Sequence, residues 1–174
     1  TACTSRAAPL VLKFPLTDFP SARGTYILWL MLPHAATLTI GRLGMFVLAP
    51  GVYAYAGSAF GTGGLAGRLR HHLRPVQRSH WHIDYLRQAA RLEMIWCQAA
   101  DTRREHDWAR ALLALPDAAL PIPRFGASDC HCPAHLVGLP EAPALAAFQA
   151  RLDSLFPDDA LLGQWGGFAS PSKD

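Results

Sequence analysis

The sequence predicts a mixed α/β (α+β) fold, a hairpin-rich antiparallel half followed by a helical half, and two patterns lead to it. Short apolar and β-branched runs separated by glycine and proline fill residues 25–56, whereas from residue 65 the apolar positions recur at helical spacing. At 174 residues, 51% of them hydrophobic and 17% charged, the chain can bury one substantial core but is short for two. Residues 21–140 are expected to form that domain. A lead-in over 1–20 precedes it, and a packing helix over 141–156 and a loosely held tail over 157–174 follow.

Within the lead-in, Leu10-Val-Leu12 is expected to pair at a sheet edge. Residues 25–32, Thr-Tyr-Ile-Leu-Trp-Leu-Met-Leu, are apolar, aromatic or β-branched throughout and read as a central strand that Pro33 ends. Thr37-Leu-Thr-Ile40 alternates polar and apolar up to Gly41. Met45-Phe-Val-Leu48 and Val52-Tyr-Ala-Tyr-Ala56 follow, with Pro50-Gly51 as the turn between them. The turn Gly61-Thr-Gly-Gly64 introduces a helix over 65–73, where Leu65, Leu69 and Leu73 form an apolar stripe and Arg68 and His72 share the adjoining face. Pro75 closes it. A second helix is expected over 79–90 with Ser79 as N-cap, then a strand over 92–99. Residues 102–115 read as a helix in which Glu105 follows Thr102 at the spacing of a capping box. A loop with Pro116, Pro121 and Pro123 leads to Phe125-Gly-Ala-Ser-Asp-Cys-His-Cys132, and 142–156 is a last amphipathic helix.

No apolar run approaches the ~18 residues of a membrane span, and no basic segment precedes a long apolar one near the N-terminus, so a cytoplasmic protein without a signal peptide is expected. Cys3, Cys97, Cys130 and Cys132 do not make a disulfide scaffold at this size and suit reduced thiols or part of a metal site. The net charge of +3 is mild, but it is unevenly spread. Arg68, Arg70, Arg74, Arg78, Arg87 and Arg91 are opposed only by Asp84, and His71, His72, His80 and His82 lie among them. Such a basic surface most commonly meets nucleic acid, with a solvated helix face as the plainer alternative.

Two stretches stand out chemically. Gly24-Thr-Tyr-Ile-Leu28 and Gly51-Val-Tyr-Ala-Tyr-Ala-Gly-Ser-Ala59 each pair a tyrosine with a glycine in a strand-like run, and phenols beside arginine and imidazoles suggest phosphate chemistry. Taken singly, Tyr26 and Tyr55 read as core aromatics, Arg68 as surface charge and Glu105 as the capping partner of Thr102. Their order gives them a second meaning. Gly24-Thr25-Tyr26, Tyr55-Ala56-Gly57-Ser58-Ala59, Arg68 with His72, His80 and Glu105 occur as in the GIY-YIG endonuclease superfamily, which the set resembles. With His80-Trp-His-Ile-Asp-Tyr-Leu86, Phe125 to Cys132 and His135-Leu136 added, the chain resembles the DUF123 branch, small proteins of which some are fused to a DNA-glycosylase domain.

The resemblance implies a small central antiparallel sheet of about three or more strands flanked by helices, and a metal-dependent endonuclease acting on DNA, in repair or on structured DNA. Phosphodiester hydrolysis needs a deprotonated water, neutralised phosphate oxygens and a stabilised leaving oxyanion. Under the resemblance Glu105 holds Mg²⁺ or Mn²⁺, and Arg68 grips the phosphate through its planar fork. Tyr26 takes the proton from water, with Arg68 and the metal drawing its pKa down from ~10. Tyr55 and His80 position the water or donate to the phosphate, and His72, with an ordinary pKa of ~6.5, is a rival base. Tyr53 shares a strand face with Tyr55 and could replace it. Gly57, Ser58, Arg70, His71, Arg74 and Arg78 are the remaining expected DNA contacts. The wider superfamily usually completes its site with an asparagine. This chain contains none, and Ser128 or Asp129 falls in the corresponding place.

Cys130-His131-Cys132 and His135 have the softness and density of a zinc site, although Cys-x-Cys is not finger spacing. His80 or His82 with Asp84 could supply the missing ligands; the other reading is a tight loop with buried thiols capped by Asp129. Two functions therefore stand: a DNA endonuclease, and a nucleic-acid-binding module that keeps the fold without useful turnover and is stabilised by zinc. Recognition by shape and phosphate contacts, weakening as salt rises, is expected of either.

Overall fold

The computed structural model describes residues 13–14 and 18–166, so Leu10-Val-Leu12 of the expected edge pairing and Cys3 lie outside the described residues. The strands are β1 (Lys13–Phe14), β2 (Gly24–Leu32), β3 (Ala36–Ile40), β4 (Gly44–Leu48), β5 (Gly51–Ala59), β6 (Arg91–Ala99), β7 (Leu136–Leu139) and β8 (Gly163–Gly166). The helices are α1 (Gly64–Leu73), α2 (His82–Arg87), α3 (Glu105–Leu113) and α4 (Leu145–Leu155). The main sheet runs β1-β8-β6-β2-β5-β7, antiparallel at every pairing except the short parallel contact of β1 with β8.

β2 lies near the middle because its residues are apolar on both faces and need cover on both. Alternation sends Tyr26, Leu28, Leu30 and Leu32 into one core, which Leu65 and Leu69 of α1, Ile83 and Leu86 of α2, and Ile40 and Leu48 of the β3–β4 ribbon complete. Ile27 and Trp29 enter the other, against Trp108 and Leu112 of α3 and Phe148 and Leu152 of α4. Burying each such side chain contributes about 1.5–3 kcal/mol, so the two-sided sheet is the main source of stability and a firm platform for whatever β2 carries. No helix is long and apolar enough to cross a membrane.

Five local expectations change. The hairpin-rich half divides: β3 and β4 pair only with each other, while β5 crosses to pair with β2, because the β3–β4 pattern leaves one face exposed and cannot cover β2. Leu73 is exposed, and His72 takes its place in the α1 stripe after Leu65 and Leu69. The helix expected over 79–90 shrinks to α2. The Asp84 carboxylate accepts the backbone N–H groups of His80 (3.0 Å) and Trp81 (2.9 Å), whereas Ser79 accepts only from Gln88 Nε2. α3 begins at Glu105 rather than Thr102, so no Thr102–Glu105 capping box forms; Arg104 N donates instead to Thr25 Oγ1 of β2 at 3.1 Å. Finally, part of the expected loose tail is built into the fold. β8 pairs with β6, Gln98 Nε2 donates to Ala160 O, and Arg104 forms a two-pronged ion pair with Asp159 at 2.9 and 3.2 Å. β7, which has no local signature beyond Leu136-Val137, adds to the edge of β5.

Candidate active site

The β2–β5 register places Tyr26 opposite Gly57 and Leu28 opposite Tyr55, so both phenols project from one sheet face at one end. There they line a cleft of about 580 Å³ together with Arg68 and His72 of α1, Glu105 of α3, and the segments around His80 and Asp129. Residues far apart in the chain converge there.

Tyr26 lies flat across β5. A Cβ on Gly57 would come within 2.5 Å of Tyr26 Cζ and Oη, so only glycine leaves the ring its place. Tyr26 Oη is 2.8 Å from His72 Nε2, and both residues are buried, at 2% and 1% exposure. Burial acts on the two in opposite directions. It raises the Tyr26 pKa well above 10, more than Arg68 lowers it, and it holds His72 well below the usual histidine value, with Arg87, His71 and Arg68 pushing the same way. Desolvation outweighs Arg68, so Arg68 alone does not bring the phenol down, and the pair is a neutral phenol beside a neutral imidazole. His72 Nδ1 is buried with no partner.

Arg68 is half-buried, its guanidinium 4.3 Å from the centre of the Trp81 ring. Stacking holds its plane without using its donors. Among the described residues no hydrogen bond or ion pair occupies them, which leaves the fork open to an anion. Tyr55 packs on Phe125, and burial pushes its phenol up to about 12. The loop crosses Tyr55 at Gly126, whose φ of 74° and 2.9 Å Cβ approach to Tyr55 Cε2 require glycine. Gly126 N donates to His82 Nδ1 at 2.9 Å, so His82 fastens that loop to α2.

Freed from any capping box, Glu105 sits 8% exposed at the start of α3. Its Oε1 lies 3.6 Å from Arg103 Nη1 and 4.0 Å from His106 Nε2, and its Oε2 is buried without a partner. An orphaned carboxylate oxygen in a polar cleft is costly unless something binds it, and a hard divalent cation suits it. Gly57, Ser58, His80, Ser128 and Asp129 also line the cleft, the last three being exposed.

On the cleft wall, ligand atoms of His106, Cys130, Cys132 and His135 all lie within 4.8 Å of one another, a group that could hold a metal ion. This corrects the expected ligand set. Asp84 is occupied as the cap of α2 and by Arg87, His82 is occupied by Gly126, and neither they nor His80 join the thiols. His106 does, and nothing in its local sequence marked it beyond its place after Glu105. His131, between the two cysteines, is exposed and outside the group. Cys97, Cys130 and Cys132 are free thiols.

Other expected residues lie elsewhere. Tyr53 shares the face of Tyr55 as expected, but its hydroxyl donates to Ala49 O at 2.6 Å, and it does not line the cleft. His71, Arg74 and Arg78 border a separate cavity of about 460 Å³ beside Asp84 and Arg87, and Arg70 lines neither cavity and faces solvent. Arg87 donates to Asp84 and Arg74 O, and Arg91 pairs with Glu93, so the expected basic surface narrows to Arg68, Arg70, Arg74 and Arg78. The sequence reading assigned no role to Trp81 or Arg103, both of which line the cleft. Trp81 lies within the His80–Leu86 block, and nothing in the local sequence marks Arg103.

The profile of a family described as "Domain of unknown function DUF123" matches residues 25–155, more than half of the chain. No curated protein and no solved structure matches it.

Proposed function

The chain belongs to the DUF123 family, and from that premise we propose that it is a metal-dependent endonuclease that hydrolyses DNA phosphodiester bonds on a GIY-YIG plan. One observation carries this reading: the 2.8 Å Tyr26–His72 contact sits in the same cleft as an unpaired arginine and a carboxylate oxygen without a partner. That combination offers a proton acceptor, an anion grip and a cation ligand in one place.

Arg68 binds the non-bridging phosphate oxygens with its fork, held in plane by Trp81. Tyr26 accepts a proton from the attacking water as it passes its own hydroxyl proton to His72 Nε2, so no free phenolate is required. The arriving phosphodiester brings negative charge to His72, which favours its protonated form at that moment. Tyr55, still a neutral phenol, donates to a phosphate oxygen, and His80, exposed on the cleft lining, positions the water or donates to the phosphate. A Mg²⁺ or Mn²⁺ on Glu105 supplies Lewis-acid stabilisation of the phosphate and of the departing oxygen when bound. Ser128 or Asp129, both exposed on the cleft, would stand in for the superfamily's asparagine.

The test is incubation with supercoiled, single-stranded and branched DNA in Mg²⁺ or Mn²⁺. Cleavage is expected, falling by about 10²-fold or more in Arg68→Ala and in Glu105→Ala. Failure to cut any of these substrates, or cleavage that survives both substitutions, overturns the reading. The missing asparagine favours a second function, a DNA-binding module without turnover; salt-sensitive binding with no cleavage identifies it.

A further inference from the structure

We propose that His106, Cys130, Cys132 and His135 form a closed four-ligand zinc site that clamps the 125–135 loop to the start of α3 and so sets the position of Glu105. The proposal stands independently of the nuclease reading.

The donor set is two thiols and two imidazoles, which favours zinc over the hard cations that suit Glu105. The geometry is close to what zinc needs. Zn–S and Zn–N bonds of ~2.3 and ~2.0 Å at a tetrahedral angle put sulfur and nitrogen ~3.5 Å apart. Cys130 Sγ lies 3.4 Å from His135 Nε2, and all four ligand atoms fall within 4.8 Å. Rotamer adjustments of about an ångström complete the site. Cys132 and His135 are buried, whereas Cys130 and His106 are partly exposed, so half of the set is withdrawn from water and the other half gives an ion its way in.

The ligands come from two separate parts of the chain, whose His106 and His135 rings already lie 5.3 Å apart. His106 is the second residue of α3. The cysteines lie in a loop pinned by Arg124 Nη1 donating to Cys132 O (2.9 Å) and by His135 N donating to Phe125 O (2.8 Å). His135 O in turn accepts from Ala56 N of β5 at 3.0 Å, which fastens one ligand to the sheet that carries Tyr55. α3 already packs on that sheet through Trp108 and Leu112, and a metal bonded to His106 adds a clamp from its first turn to the loop, beside the adjoining Glu105. Four protein ligands leave no open position for water, so the ion's work is structural and positional rather than hydrolytic.

Metal analysis of protein purified without chelator, in zinc-containing medium, is expected to find about one zinc per chain. Cobalt substitution should give thiolate-to-metal charge transfer with the intense visible bands of a tetrahedral site. Cys130→Ala, Cys132→Ala and His106→Ala should lose zinc to a chelator that leaves the wild type loaded, while His131→Ala keeps it. Absence of metal before and after zinc addition overturns the proposal, as does a Cys130–Cys132 disulfide as the purified state, or zinc retention in the cysteine variants. If a variant fails to fold, the cobalt spectrum of the wild-type chain decides: no thiolate charge transfer sinks the site. None of these readouts uses DNA, so a zinc-loaded wild-type chain that cuts no DNA counts against the nuclease reading alone.

Discussion

Two walls of one cleft contrast. The wall built from β2, α1 and Glu105 presents hard, incompletely bonded groups: an open arginine fork, a carboxylate oxygen with no partner and a phenol–imidazole pair kept neutral by burial. The wall built from the 125–135 loop and His106 presents soft donors within 4.8 Å of one another, a group that could hold an ion. Chemistry needs open valences, whereas a clamp needs them filled, and the two sets meet at consecutive residues, Glu105 and His106. Damage to the first wall should therefore abolish turnover without moving the zinc, and damage to the second should move the zinc first.

The largest effect expected is from Tyr26→Phe. It removes the group proposed to exchange protons with water and should lower cleavage by about 10²–10⁴-fold with zinc content unchanged. Tyr53→Phe is its control on the same sheet face: its hydroxyl donates to Ala49 O, so a loss of about 0.5–1.5 kcal/mol in stability and ordinary cleavage are expected. Equal activity losses in the two would erase the distinction between cleft and core tyrosines.

Gly57→Ala comes next. The added methyl occupies space the Tyr26 ring now fills, so the ring must shift, and a displacement of that order costs about 10–10²-fold in rate. Rate assays beside metal analysis check it; unaltered cleavage would mean that the position of Tyr26 is not critical.

The smallest effect is on stability against pH. His72 is neutral in the fold at pH values where the unfolded chain protonates it with a pKa of ~6.5, so its contribution is complete above that value. As the pH falls below about 6.5 toward the depressed folded value, the contribution is lost. Thermal melts of His72→Gln between pH 7 and 5 should therefore decline less steeply than wild type, with a residual slope from His82, which burial shifts the same way. Parallel slopes would show that His72 is not the buried neutral group described.

Much of this arrangement is legible in the chain before folding. A run apolar at every position, as in Tyr26 to Leu32, has to be covered on both faces, and that alone places β2 inside the sheet. Gly57 was legible as the glycine of a tyrosine strand, though not for the reason the fold supplies. Glu105 was legible only ambiguously, because its spacing from Thr102 fits a capping box equally well, and the start of α3 decides against that. His106 and β8 were not legible. One is an ordinary helix-surface histidine in its local pattern, and the other sits in a Gly-containing segment whose strand state comes from its partner β6.

The sequence by itself determined the periodicities, the breakers and the order of the reactive residues, since these depend on interactions between neighbours a few positions apart. Only the tertiary structure decided that Tyr26 bonds a histidine 46 positions away, that the hard and soft donor sets face one cleft, and that burial overrides the arginine in setting the phenol's pKa. Those outcomes follow from how two sheet faces are covered and how loops close across them, and desolvation is a property of the enclosed site that no stretch of chain carries alone.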